Sequence, residues 1–207
     1  MYPQVTVHNL FFILHTAGRV DFNPNSNAYG NQHVSCLRGT RKNTLQAICD
    51  WANDKSAANR IFCLLDVAGS GKSTVAKTMA DEWKAENRLV ARFFFSRDTA
   101  DTMSTKSFCS TVANAFASRN TTFEASMKQY MRLPDWQLHP FEEQFEGLVA
   151  GPLREAQQPA ILMIDALDEC GKEHGVRRKL LQTLFSRYHS VPLLRILVTG
   201  RPESDIK

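Results

Sequence analysis

The chain lacks the marks of several protein classes. Its five cysteines are odd in number and include no C-x-x-C pair, which excludes a fully paired disulfide framework and the usual zinc spacings. Three of them lie in apolar periodic segments, where a reduced cysteine packs as a small hydrophobe. A reducing, cytoplasmic setting is the expectation. Long hydrophobic runs are missing too. The most apolar early stretch, VTVHNLFFILHTAG, is too short to cross a bilayer, carries His8, Asn9 and His15, and has no basic region before it. Neither a membrane span nor a signal peptide is expected. Strong charge is also absent: the net charge of +4 is spread thinly, and Arg177, Arg178 and Lys179 form the one compact basic run. That argues against nucleic-acid and membrane partners. There is no internal repeat. What remains is 207 residues with 43% hydrophobic content, enough for one buried core.

From residue 42 onward, helical and strand patterns alternate. Leu45, Ile48, Cys49 and Ala52 recur at helical spacing, and RIFCLLD then reads as a short strand buried on both faces. Val75, Met79 and Trp83 give one apolar face of the next helix. LVARFFFS is a second strand, followed by a helix marked by Phe108, Val112 and Phe116. Two helical patterns occupy residues 121 to 158, AILMIDALDEC is a strand entering an acidic loop, and Leu180, Leu184 and Phe185 mark another helix. LLRILVTGRPE is the fourth strand. Alternation of this kind implies a layered α/β domain with a mainly parallel sheet and right-handed crossovers. Residues 1 to 27 are turn-rich and are expected to form an irregular N-terminal arm, with the domain running from 28 to 207.

In such sheets ligands gather at the carboxyl ends of the strands. The first of these strands ends in LLDVAGSGKST, residues 64 to 74, which meets the phosphate-loop pattern G-x-x-x-x-G-K-[ST] at Gly71, Lys72 and Ser73 but holds Asp66 where the first glycine belongs. Ala68, Gly69, Ser70, Gly71, Lys72, Ser73 and Thr74 are the candidate phosphate contacts. Glycines let backbone amides face a polyphosphate without a Cβ in the way, Lys72 would reach the β and γ phosphates, and the following helix adds its positive end. Ser73 offers a hydroxyl to Mg2+. Asp165, 93 residues after Lys72 (165 − 72) at the end of an apolar strand, would hold the metal through its water shell. Asp168 or Glu169 could orient or deprotonate an attacking water, and Arg201 could stabilise charge on the γ-phosphate. Singly, an Asp-Glu pair after a strand or an Arg-Pro dipeptide reads as an ordinary solvated turn. In this order and context they read as a P-loop NTPase fold.

Five stretches carry a family resemblance: CLRGTRKNTLQAICDWAND, LLDVAGSGKST, ARFFFSRD, ILMIDALDEC and RILVTGRPE. In order and spacing, the chain resembles the NACHT-type NTPase domains of fungal NOD-like receptors, which are similar to the nephrocystin-type N-terminal domain. The resemblance implies a three-layer α/β/α fold of the additional-strand type and a signal-transducing domain that holds ATP or ADP with Mg2+ as a switch. It implies self-association or protein partners, a cytoplasmic location and slow hydrolysis that resets the switch. By position, Gly71, Lys72, Ser73 and Thr74 fall on the phosphate contacts, Asp165 on the magnesium-associated acid, Asp168 and Glu169 on the catalytic acids, and Arg201 on the residue facing the γ-phosphate. Gly39, Thr40 and Arg41 fall near the adenine or ribose.

Two departures stand out. Gly200 replaces the usual serine of the last motif, and the chain stops at Lys207, before the fifth strand, lid and further modules that the family would supply. RIFCLL would then be an apolar sheet edge unless the N-terminal arm or another chain covers it. The three consecutive phenylalanines of FFFSRD are explained by packing, with Arg97 where the strand surfaces. Three functions therefore stand side by side: an ATP-binding switch with slow turnover, a degenerate P-loop domain acting as an interaction scaffold, and another P-loop protein such as a small-molecule kinase or nucleic-acid NTPase. The last lacks a substrate lid and a basic, aromatic-rich channel. Asp66 bears on the first two. A carboxylate roughly 6 Å from one phosphate charge, at an effective dielectric near 20, costs on the order of 3 kcal/mol, or about a hundredfold in affinity.

Overall fold

The computed structural model describes residues 11–15, 34–54, 56, 60–96, 105, 107–171 and 175–203. Among the described residues five strands, β1 (Phe11–His15), β2 (Ile61–Asp66), β3 (Leu89–Phe94), β4 (Ala160–Asp165) and β5 (Leu194–Gly200), form one sheet in the order β1-β2-β5-β4-β3. Every pairing is parallel. All the strands therefore end on the same side, and the polar residues that follow them are brought together there. Strand β5 lies between the loop-bearing β2 and the β4 strand that ends in Asp165, which is the additional-strand arrangement.

Continuous apolar sequence in β2 and β4 follows from burial on both faces. Along β2, Ile61, Cys63 and Leu65 point into one core, while Phe62 and Leu64 point into the other. Helices α1 (Lys42–Asn53) and α2 (Lys72–Ala85) cover the second face through Ile48, Trp51, Val75, Met79 and Trp83. On the first face lie α3 (Phe108–Ala117), α4 (Thr121–Tyr130), α5 (Phe141–Phe145), α6 (Gly151–Ala156) and α7 (Val176–Arg187). The result is three layers, as the alternating pattern requires. Trp83 is 1% exposed, and an anchor of that size contributes roughly 3–5 kcal/mol relative to alanine. It fixes α2, and hence the loop before it, on the sheet.

Phe93 and Phe95 are buried beside Phe108 on the face away from α2, with ring centroids 4.9 Å apart for Phe93–Phe95 and Phe93–Phe108. Packing accounts for them. Arg97 lies outside the described residues. Between α5 and α6 the helix widens into a π turn over Glu146–Ala150, where Gly147 leaves room for the Tyr130 ring.

The first strand amends the reading of residues 1–27 as an irregular arm. Phe11–His15 is extended and pairs with β2 from Phe11↔Phe62 to His15↔Asp66. Among the described residues the sheet thus has five strands where the alternating pattern gave four. Of the two covers open to the β2 edge, it is the N-terminal segment that lies there. A paired edge no longer offers its free N–H and C=O groups for association. Among the described residues no helix is long and apolar enough to cross a membrane.

Candidate functional site

The loop between β2 and α2 needs glycine at two points. Gly69 has φ +75° and Gly71 φ +83°, left-handed conformations that side chains rarely adopt. Gly71 also caps α2, and a Cβ there would collide with the guanidinium of Arg41. Arg41 itself sits at the N-cap of α1 with φ 53°. The GTR segment is therefore folded against the phosphate loop, and its arginine lies at the Gly71 end of that loop. Val67, Ala68 and Gly69 are exposed, whereas Ser70 is buried.

Lys72 begins α2 and turns back over the loop. Its Nζ donates to the carbonyls of Asp66 at 2.9 Å and Val67 at 2.8 Å, and to Ser70 Oγ at 3.4 Å. Burial pulls its ammonium below the ordinary lysine value of 10.5. Asp168, Asp66 and Asp165 oppose that shift, and Arg201 reinforces it. That set of charges shows the convergence. The ends of β2, β4 and β5 all act on one ammonium.

Asp66 is the last residue of β2 and 7% exposed. Its Oδ1 accepts the Val67 N–H at 2.7 Å, so the carboxylate is turned onto the first amide of the loop. This is how an aspartate tolerates the place of the first glycine: it supplies an acceptor to the turn it enters. The amides at Gly69 and Gly71 are left to other uses.

Asp165 ends β4 and is fully buried. Its Oδ1 accepts from Ser73 Oγ at 3.0 Å and from Thr199 Oγ1, and Thr199 Oγ1 in turn accepts the Ala166 N–H at 3.1 Å. Its Oδ2 pairs with the guanidinium of Arg92. A hydroxyl and a carboxylate are hard-oxygen donors of the kind Mg2+ takes, but the second oxygen of Asp165 is already held by the Arg92 guanidinium. Among the described residues no group of three or more His, Cys, Asp or Glu is placed to hold a metal ion.

Asp168 and Arg201 are joined. Arg201 donates its backbone N–H to Asp168 Oδ1 at 3.0 Å, and its Nε lies 3.1 Å from Oδ2. The carboxylate is 4% exposed, while the Arg201 side chain is 45% exposed. Asp168 is thus a clamp on Arg201, which it meets through both carboxylate oxygens. Glu169, next along the short 3-10 turn Leu167–Glu169, is half-buried. Thr74 sits in the first turn of α2, where its carbonyl accepts from Thr78 Oγ1 at 2.9 Å. A Cβ on Gly200 would meet Asp168 Oδ1 at 3.4 Å, so a small side chain could be accommodated there.

Arg92 was not among the residues singled out from sequence, and Thr199 was placed with the polar strand ends but given no role. The signal for Arg92 was present, because an arginine inside a buried strand requires a partner of opposite charge.

The profile of the family described as Nephrocystin 3, N-terminal, matches residues 39–201. The chain belongs to that family. The match spans the GTR segment, the phosphate loop, the acidic turn after β4 and Arg201. No curated protein sequence matches the chain. Among solved structures, this nephrocystin 3 N-terminal-type domain is similar to the Walker-type ATPase PABY2304 of Pyrococcus abyssi, with a TM-score of 0.55 and 15% sequence identity. The alignment covers 83% of this chain and 48% of that one, so this chain spans about half of the archaeal protein. At that identity the likeness shows a shared P-loop fold.

Proposed function

We propose that this domain binds ATP and ADP with Mg2+ as a switch, with slow hydrolysis of ATP. The observation that carries the reading is the meeting of three groups around one loop: Lys72, the Ser73–Asp165 pair and the Asp168–Arg201 clamp. The P-loop fold and the name of the archaeal ATPase support it. In this reading the amides of Ala68 to Thr74 and the Lys72 ammonium bind the polyphosphate, and Arg41 adds a positive charge at Gly71. Ser73 and Asp165 would hold Mg2+, which when bound supplies charge neutralisation at the β and γ phosphates. Glu169 orients or deprotonates the attacking water. Asp168 holds Arg201 toward the γ-phosphate. The NACHT-like assignment, self-association through the domain and a cytoplasmic setting belong to the same proposal.

The test is phosphate release from ATP by the parent, Lys72→Ala and Glu169→Gln proteins. Slow release in the parent that falls at least tenfold in both variants supports the reading. Release unchanged by Glu169→Gln rejects the hydrolytic role. A second reading, an interaction scaffold without turnover, is favoured by one observation. Lys72 is satisfied by its own loop's carbonyls and stands beside the Asp66 carboxylate, so the loop is stable with its lysine turned inward.

A further inference from the structure

An arginine reaches the carboxylate that the metal would use. Arg92 lies in β3 opposite Met163 of β4, two residues before the Phe94↔Asp165 pair. Residues two apart share a face, so Arg92 projects on the same side as Val90, which packs with Ile161, Met163 and α2. Its guanidinium runs along that face and pairs with Asp165 Oδ2, the oxygen that neither Ser73 nor Thr199 occupies. The Arg92 side chain is 11% exposed and that of Asp165 is 0% exposed. Water screens such a pair poorly.

We infer that Arg92 is a built-in counter-cation of Asp165, and that it makes nucleotide binding at this loop nearly independent of Mg2+. The inference rests on the nucleotide-binding part of the reading above and replaces its Mg2+ part for the binding step. Asp165 favours a divalent cation only through its negative charge, whether it acts directly or through water. A positive charge hydrogen-bonded to the same carboxyl group repels that cation from a comparable distance. The two effects nearly cancel. Ser73 remains as a neutral ligand, and its hydroxyl already donates to Asp165. The charges left to compensate the polyphosphate are then the chain's own: Lys72 and Arg41 beside the loop, and the amides from Gly69 onward. Arg92 is a positioning residue in this scheme, since it acts through Asp165 and touches neither nucleotide nor metal.

The experiment is equilibrium binding of a fluorescent ADP analogue to the whole chain, with Mg2+ and with EDTA, compared with Arg92→Gln and Arg92→Lys. The quantity is the ratio of dissociation constants without and with Mg2+. The parent ratio should lie within threefold of one, and Arg92→Lys should keep it there. Arg92→Gln leaves the Asp165 carboxylate without its cation and should raise the ratio tenfold or more. A parent that binds at least tenfold more tightly with Mg2+ overturns the inference while leaving the nucleotide site standing. So does a ratio that Arg92→Gln fails to change. If Arg92→Gln does not fold, the parent ratio decides alone. A parent that binds in neither condition removes the nucleotide reading, and the inference with it.

Discussion

Replacing Asp66 with asparagine isolates what a carboxylate does at the entrance of a phosphate loop. The side chain does two opposing things. Its Oδ1 accepts the Val67 N–H at 2.7 Å, and a hydrogen bond to a charged group contributes about 1.5–3 kcal/mol. Its charge, meanwhile, would repel a polyphosphate bound at the loop. At roughly 6 Å and an effective dielectric near 20, each phosphate charge repels it by about 3 kcal/mol. The nearby Lys72 ammonium offsets part of that, which leaves on the order of 1.5–3 kcal/mol, or about ten- to a hundredfold in affinity. Asp66→Asn keeps an oxygen acceptor for Val67 and removes the charge. It should therefore tighten ATP binding by at least tenfold with little change in melting temperature. Asp66→Gly removes both, so it should tighten binding similarly but lower stability by about 1.5–3 kcal/mol. Titration with a fluorescent ATP analogue and thermal denaturation read the two effects separately. Equal affinities in parent and Asp66→Asn would refute the electrostatic reasoning, because they would mean that the carboxylate does not act on the phosphates.

Other consequences follow from particular contacts. Lys72 is depressed below 10.5 chiefly by burial, so the unfolded chain binds more protons than the folded one between the depressed value and 10.5, and stability should rise with pH across that window. Phosphate affinity needs the ammonium and should fall across the same window, before an ordinary lysine would titrate; a flat affinity up to pH 10.5 would count against the Lys72 contact. Replacing Phe11–His15 with a Gly-Ser stretch of equal length removes the strand paired to β2 and should convert a monodisperse protein into an aggregating one by light scattering. Unchanged dispersity would show that the β2 edge needs no cover. Gly147→Ala should destabilise by about 1–3 kcal/mol or more, because its Cβ would enter the Tyr130 ring, as denaturant unfolding can measure.

Much of this architecture was legible because parallel strands buried on both faces leave long apolar runs, and because helices at 3.6 spacing leave stripes. RIFCLLD, AILMID and LLRILVTG are such runs. The polar residues that terminate them had to share one edge, so the meeting of Lys72, Asp165, Asp168 and Arg201 was implied once the sheet was parallel. β1 was not legible. FFILH sits among turn-forming residues, and its partner begins 46 residues after its end (61 − 15), so pairing across that distance left no local trace. The roles within the acidic turn were also ambiguous, since spacing cannot say which carboxylate an arginine will take. Only the placement of Arg201 separates Asp168, which is clamped, from Glu169. Arg92 was read as part of an apolar strand, although a charge inside a run such as LVARFFF is itself a sign of a buried pair. The Asp66 question changed in kind: a broken motif became an aspartate that accepts its loop's first amide.

The central claim is that this loop holds a nucleotide through Lys72, and calorimetric titration of the parent chain with ATP beside Lys72→Ala tests it most directly. The account predicts saturable binding at one site per chain and a loss of at least a hundredfold in the variant. Binding equal in the two proteins, or none in the parent, would contradict it.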